Sequence, residues 1–153
     1  MTLKMATLGS LLLTGALATI TATESQAVVL TGSNICQATN GAQAASVSRF
    51  TNAVGNASAA AIGVVCPVPR YPGVPPQFLI SGNNSANTTT CTLTLFNAAG
   101  GVVSALTFNS ILGGWTATLN FAAPPATGTE FATLSCALPP SNTGLLIGFQ
   151  SNP

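Results

Sequence analysis

The ionisable side chains able to move protons or hold metals are few: Cys36, Cys66, Cys91 and Cys136, Glu24 and Glu130, Lys4, Arg49 and Arg70, and the single Tyr71. There is no His and no Asp. Glycoside hydrolysis in its usual form needs two carboxylates flanking the bond, and beyond residue 27 Glu130 is the one carboxylate side chain. Serines are plentiful, but none has a His or Lys to take its proton, and no Gly-x-Ser-x-Gly elbow occurs. Calcium sites draw on several oxygen ligands, usually carboxylates. Glu130 beside Phe131 reads as a solvated residue at the start of a strand rather than a buried acid. These residue types predict a protein that is not an enzyme and that carries no cofactor or metal.

The cysteines support two readings, a four-thiolate zinc site or two disulfides. They lie at least 25 residues apart and lack the Cys-x-x-Cys knuckles of structural zinc sites. That spacing also argues against a redox pair. Counting alone allows three disulfide connectivities. Cys91 shares strand parity with Leu93 and Leu95, and Cys136 with Leu134 and Leu138, so both point into a core from mid-strand. This predicts Cys91 paired with Cys136 and Cys36 with Cys66.

Only 3% of the 153 residues are charged, against roughly 25% in an ordinary domain. Residues 1–27 read as a cleaved export signal: Lys4, the apolar run Leu8 to Ile20, then Ser25-Gln26-Ala27 with small residues at the peptidase positions. The rival is a retained anchor, since Met5 to Thr23 is uncharged and a bilayer needs about 20 apolar residues. Residues 28–153 then form one domain, with no membrane span once the signal is removed. Export to the extracellular space or cell surface, or to the periplasm, fits four cysteines that all pair. Arg49 and Arg70 against Glu130 leave one net positive unit and no basic patch, so nucleic acid is a poor partner.

The elements that must carry these residues are strands. Thr89 to Asn97 and Trp115 to Phe121 alternate apolar with Thr or Asn, as half-buried antiparallel strands do. Gly100-Gly101 and Gly113-Gly114 bracket Val102 to Phe108, which predicts a three-stranded meander. Further strands are expected at Ala59 to Cys66, Phe78 to Ser81, Glu130 to Leu138 and Leu145 to Phe149. Ala42 to Ala61 is Ala-rich but broken by Asn52, Gly55 and Asn56, and reads as strand and loop. Prolines 67, 69, 72, 75, 76, 124–125 and 139–140 fall just outside these patterns. Seven to nine short strands describe an all-β domain, a β-sandwich or jelly roll.

Cys36-Gln37-Ala38-Thr39-Asn40, Val64-Val65-Cys66-Pro67-Val68-Pro69-Arg70, Cys91-Thr92-Leu93 and Leu134-Ser135-Cys136-Ala137-Leu138-Pro139-Pro140 occur in that order. This set resembles a recurrent four-cysteine domain of unknown function in secreted proteins of environmental bacteria. The resemblance covers nearly all of residues 28–153. It implies an exported, disulfide-bonded all-β domain and no activity.

Thr, Asn, Ser, Gln, Ala and Gly supply most outward positions. Net charge near zero removes the repulsion that keeps proteins apart, and strand edges lack the Lys or Glu that block strand addition. The leading functional expectation is therefore a non-catalytic structural protein that associates with itself or with other components of a surface layer, fibre or matrix. The alternative is a module for carbohydrate or another neutral ligand, with Trp115, Tyr71 and Phe78 as aromatic platforms. Parity places Trp115 in the core, so Tyr71, with Arg70 beside it in the Pro-rich loop, is the favoured ligand contact. Asn56-Ala57-Ser58, Asn83-Asn84-Ser85 and Asn87-Thr88-Thr89 match the glycosylation triplet and read as surface loops.

No side chain in residues 28–153 has a reference pKa between 5 and 8. Stability is accordingly expected to be nearly flat across that window, which melting curves at pH 5 and pH 8 check. A difference of more than several degrees would reveal a strongly perturbed Glu130 or an unpaired thiol.

Overall fold

The computed structural model describes residues 29–69, 77–122 and 130–152. Among them are eleven strands: β1 (Val29–Gly32), β2 (Gln37–Ala38), β3 (Val47–Arg49), β4 (Val54–Asn56), β5 (Ile62–Val68), β6 (Gln77–Asn84), β7 (Thr90–Phe96), β8 (Val102–Asn109), β9 (Gly113–Asn120), β10 (Phe131–Leu138) and β11 (Gly144–Asn152). A first sheet runs β3-β4-β11-β6-β9, with β1 also paired to β11, and a second runs β2-β5-β10-β7-β8. Every pairing is antiparallel. The two-sheet, all-β architecture is the one the alternation predicts. The strands beyond seven to nine come from residues 29–56, where pieces of two to four residues are too short to show a period. Ala42 to Ala61 forms a 3-10 turn at Gly41–Ser46, capped by Asn40, followed by β3 and β4.

In β7 the alternation does what it predicts: Cys91, Leu93 and Leu95 are buried and the threonines between them face outward. Phe78, Ile80, Leu134, Leu138, Leu146 and Phe149 complete the centre of the core, each contributing roughly 1.5–3 kcal/mol by burial. Cys91 stands directly opposite Cys136 across β7 and β10, and the two are bonded. Cys36, one residue before β2, bonds Cys66 on β5. Both bridges therefore lie on the inward face of the second sheet, joining neighbouring strands, in the pairing that parity predicts.

Two expectations need correction. Pro67 lies inside β5, not beyond it. It is tolerated because β2 pairs only with Val64 and Val65, so Pro67 faces a stretch of edge where no ladder bond needs its missing donor. The meander is also incomplete: β7 and β8 form a hairpin, but β9 pairs with β6 in the other sheet. The reason lies at Ser110. The buried amide of Asn84, at the end of β6, donates to Ser110 Oγ at 2.5 Å and to the carbonyl of Ile111 at 2.8 Å. Ser110 Oγ also accepts from the Thr89 amide at 2.7 Å, and Thr89 Oγ1 donates to Asn84 Oδ1 at 2.9 Å. These bonds draw the chain after β8 towards the first sheet. Gly113, at φ +84°, then makes the turn into β9 that a side chain would resist.

Phe108 and Trp115, on β8 and β9, meet edge to face at 5.9 Å and so tie the two sheets along this side. The Trp115 indole occupies the space over Gly82, where an added Cβ would lie 2.2 Å from Cζ2 and 2.4 Å from the backbone oxygen of Leu145. Gly82→Ala is expected to lower stability by about 1–3 kcal/mol through overpacking. Replacing Cys91 and Cys136 together by Ala, which opens a 45-residue loop, should cost about 4 kcal/mol. Guanidinium unfolding midpoints of the non-reduced proteins measure both.

Candidate functional site

All four cysteines are bridged. Among the described residues, no group of three or more His, Cys, Asp or Glu lies together in a geometry that could hold a metal ion. Arg49, at the end of β3, donates through Nη2 to the Cys36 carbonyl at 3.1 Å and so fastens the strand entering the first disulfide. Glu130 is half-buried immediately before β10. Arg70 and Tyr71, the favoured ligand contact, lie outside the described residues, as do residues 72–76, 123–129 and the signal segment.

The other two aromatic platforms are core residues. Trp115 is 6% exposed and Phe78 1%, the latter packed edge to face against Phe121 at 5.8 Å. Both rings are buried and present no plane to a ligand. Asn56 is likewise not a surface residue. It is buried, its Nδ2 donating to the carbonyls of Ala60 and Leu138 and its Oδ1 accepting from the amide and hydroxyl of Ser58. The triplet there marks the crossing from β4 to β5. Asn83 and Asn87 are exposed, as expected.

Three surface features remain. A cleft of about 370 Å3 opens between Asn34, Thr51 and Asn52 on one side and Ser81, Ile147 and Gly148 on the other. It follows the irregularity in β11 between Leu146 and Gly148. Its polar groups are partly engaged with each other: Asn34 Nδ2 donates to the Thr51 carbonyl and Ser81 Oγ to that of Gly148, each at 3.3 Å.

The second feature is the side of the sandwich where β8 and β9 both end their sheets. Each is eight residues long and has no charge and no proline. Among the described residues β8 pairs only with β7, and β9 only with β6. The irregularity near Phe96 and Val102 touches only the start of β8. The opposite side ends in β2 and β3, two and three residues long. Ile111 and Leu112, in the link between β8 and β9, are 66% and 57% exposed.

The third is the outer face of the second sheet. Register places Thr107, Thr92 and Ser135 in one row across β8, β7 and β10, with Thr94 and Thr133 side by side in the next. Thr92 and Thr107 share a hydrogen bond of 2.8 Å, and Thr90 Oγ1 donates to Asn109 Oδ1 at 2.7 Å. At one end of the rows Phe96 and Phe131 stack at 4.8 Å with planes 10° apart, and Phe131 is 44% exposed. This pair had no sequence signal of its own, because only the register of β7 against β10 brings residues 35 apart together.

No family model and no curated protein matches the chain. Among solved structures it is similar to the enzymatically active domain of tailspike protein 4 of bacteriophage CBA120, at 16% identity and TM-score 0.44 over 82% of this chain. The chain spans 18% of the length of that tailspike. It is also similar to a structure described as CBM4, at 12% identity and TM-score 0.36 over 81% of each chain.

Proposed function

We propose that this is a non-catalytic extracellular structural protein that associates with itself along the side formed by β8 and β9. The observation that carries the reading is the pair of uncharged eight-residue strands ending both sheets on one side. An unpaired edge is a template for another strand, and the usual guards are Lys, Pro, a bulge or a very short edge. Apart from the irregularity at its start, β8 has none of these, whereas β2 and β3 are guarded by their length and β3 also by Arg49. The few acid and base side chains, with all thiols oxidised, support the non-catalytic part. Disulfides support an oxidising compartment.

The asymmetry of the two sides bears on the form of the assembly. A strand of eight residues has no equal on the far side to continue a file of molecules, but it matches its own copy. Antiparallel pairing of β8 with β8 and of β9 with β9 obeys a two-fold axis and closes. Each backbone hydrogen bond gained nets about 0.5–1.5 kcal/mol, and no charge must be desolvated.

Light scattering on the size-fractionated, non-reduced protein is expected to give twice the chain mass. Ala105→Lys combined with Thr118→Lys, one charge at an exposed position on each edge strand, is expected to give a monomer with unchanged melting behaviour. A wild-type protein that stays monomeric at high concentration overturns the reading. Association of the lysine variant equal to wild type would show that another surface is used.

A further inference from the structure

We infer that the outer face of the second sheet is a binding surface for neutral polysaccharide. Thr90, Thr92 and Thr94 project from β7 at every second residue, with Thr107 on β8 and Thr133 and Ser135 on β10 beside them. Strands lie about 4.8 Å apart and same-face residues about 6.8 Å along the strand, so the hydroxyls form a grid. None of the outward residues of β7, β8 or β10 is charged. The threonine pairing already noted fixes the hydroxyl orientations. Thr90 spends its proton on Asn109, and Thr92 and Thr107 share one between them. Oxygen lone pairs are thereby left outward to accept from sugar hydroxyls, with little ordering to be done on binding.

The stacked Phe96 and Phe131 supply what hydroxyls cannot: each covers one face of the other, and Phe131, 44% exposed, leaves apolar ring surface for the C–H groups of a pyranose. The shape of the surface identifies the class of ligand. Small molecules are held in concavities, whereas a repeating grid on a sheet face presents the same contacts several times over. A polymer of uncharged, hydroxyl-bearing units makes such contacts in parallel and gains avidity from them. A polyanion finds no cation on these strands, and a peptide adding as a strand requires an edge instead of a face. The inference is independent of pairing through β8 and β9, because this face stays open in such a dimer.

Depletion isotherms of the non-reduced protein on microcrystalline cellulose, chitin and insoluble mannan test it, with alginate gel as the charged comparison. Retention by at least one neutral polymer is expected, with little change when salt is raised, since no ion pair contributes. Phe131→Ala, and Thr94→Val with Thr133→Val, should each weaken retention about tenfold or more, as truncation of anchoring contacts does. Asn83→Lys, exposed on the other sheet and off its edge strand, should leave it unchanged. Melting curves confirm that the variants fold. Failure of all three neutral polymers to retain the wild type overturns the inference, as does retention of the Phe131 and threonine variants at wild-type strength. Stronger retention by alginate, abolished by salt, overturns it as well.

Discussion

The buried amide of Asn84 is the interaction on which the path of the chain depends. Its three hydrogen-bond partners, Ser110 Oγ, the Ile111 carbonyl and Thr89 Oγ1, belong to the two links that carry the chain between sheets, and the Thr89 amide bonds Ser110 in turn. A sandwich whose consecutive strands change sheets must bury backbone at each crossing, and buried backbone without partners is costly. Asn56 solves the same problem at the β4–β5 crossing, and its own carbonyl accepts from the Asn142 amide in the turn before β11. In that turn Ser141 and Asn142 both have positive φ, the pattern of a type I′ turn. One end of the molecule is thus knitted by neutral amides and hydroxyls, where a more highly charged protein could use ion pairs.

The other organising constraint is the second sheet. Both disulfides join its strands on the inward face, so β2, β5, β7 and β10 are cross-linked into two covalent pairs while β10 bonds β5 and β7. The first sheet has no such cross-link. It is held instead by packing onto this platform, through Phe78, Phe149 and Leu146, and along the open side by Trp115 against Phe108. Gly82 belongs to the same arrangement, since the indole sits where its side chain would be. A molecule with little electrostatic help thus concentrates covalent and steric constraint in one layer and docks the other on it.

What was legible in the sequence was local. Alternation around Cys91 and Cys136 placed both in the core and paired them, because parity within a strand is fixed by the backbone and needs no knowledge of the partner. Trp115 followed by the same rule. What stayed hidden depended on register or on single side chains. Gly113-Gly114 reads as a hairpin, yet the link is decided by Asn84, 26 residues away from Ser110. Asn56 reads as a loop residue because burial of a satisfied amide leaves no mark on composition. Phe78 reads as a platform from composition alone, but it stands on the buried face of β6, with Ile80. Phe96 and Phe131 show the converse, being strand residues whose stacking exists only across β7 and β10.

The shortage of charge links the fold to the proposed role. Charge on a protein surface does three things: it keeps copies apart, guards strand edges and selects oppositely charged partners. With almost none, this surface has lost all three at once, and what discriminates is geometry alone. In the proposed pairing the long edges of β8 and β9, unpaired on one side among the described residues, meet strands of matching length in their own copies. On the inferred binding face, the hydroxyl rows between Thr107 and Ser135 match a partner that repeats at similar spacing and carries no charge. Edge and face point in different directions on a sheet, so the two kinds of contact do not compete. The two proposals join here: a protein paired at its edges and holding a neutral polymer on its flat face would be bivalent, and bivalence converts weak individual contacts into lasting attachment.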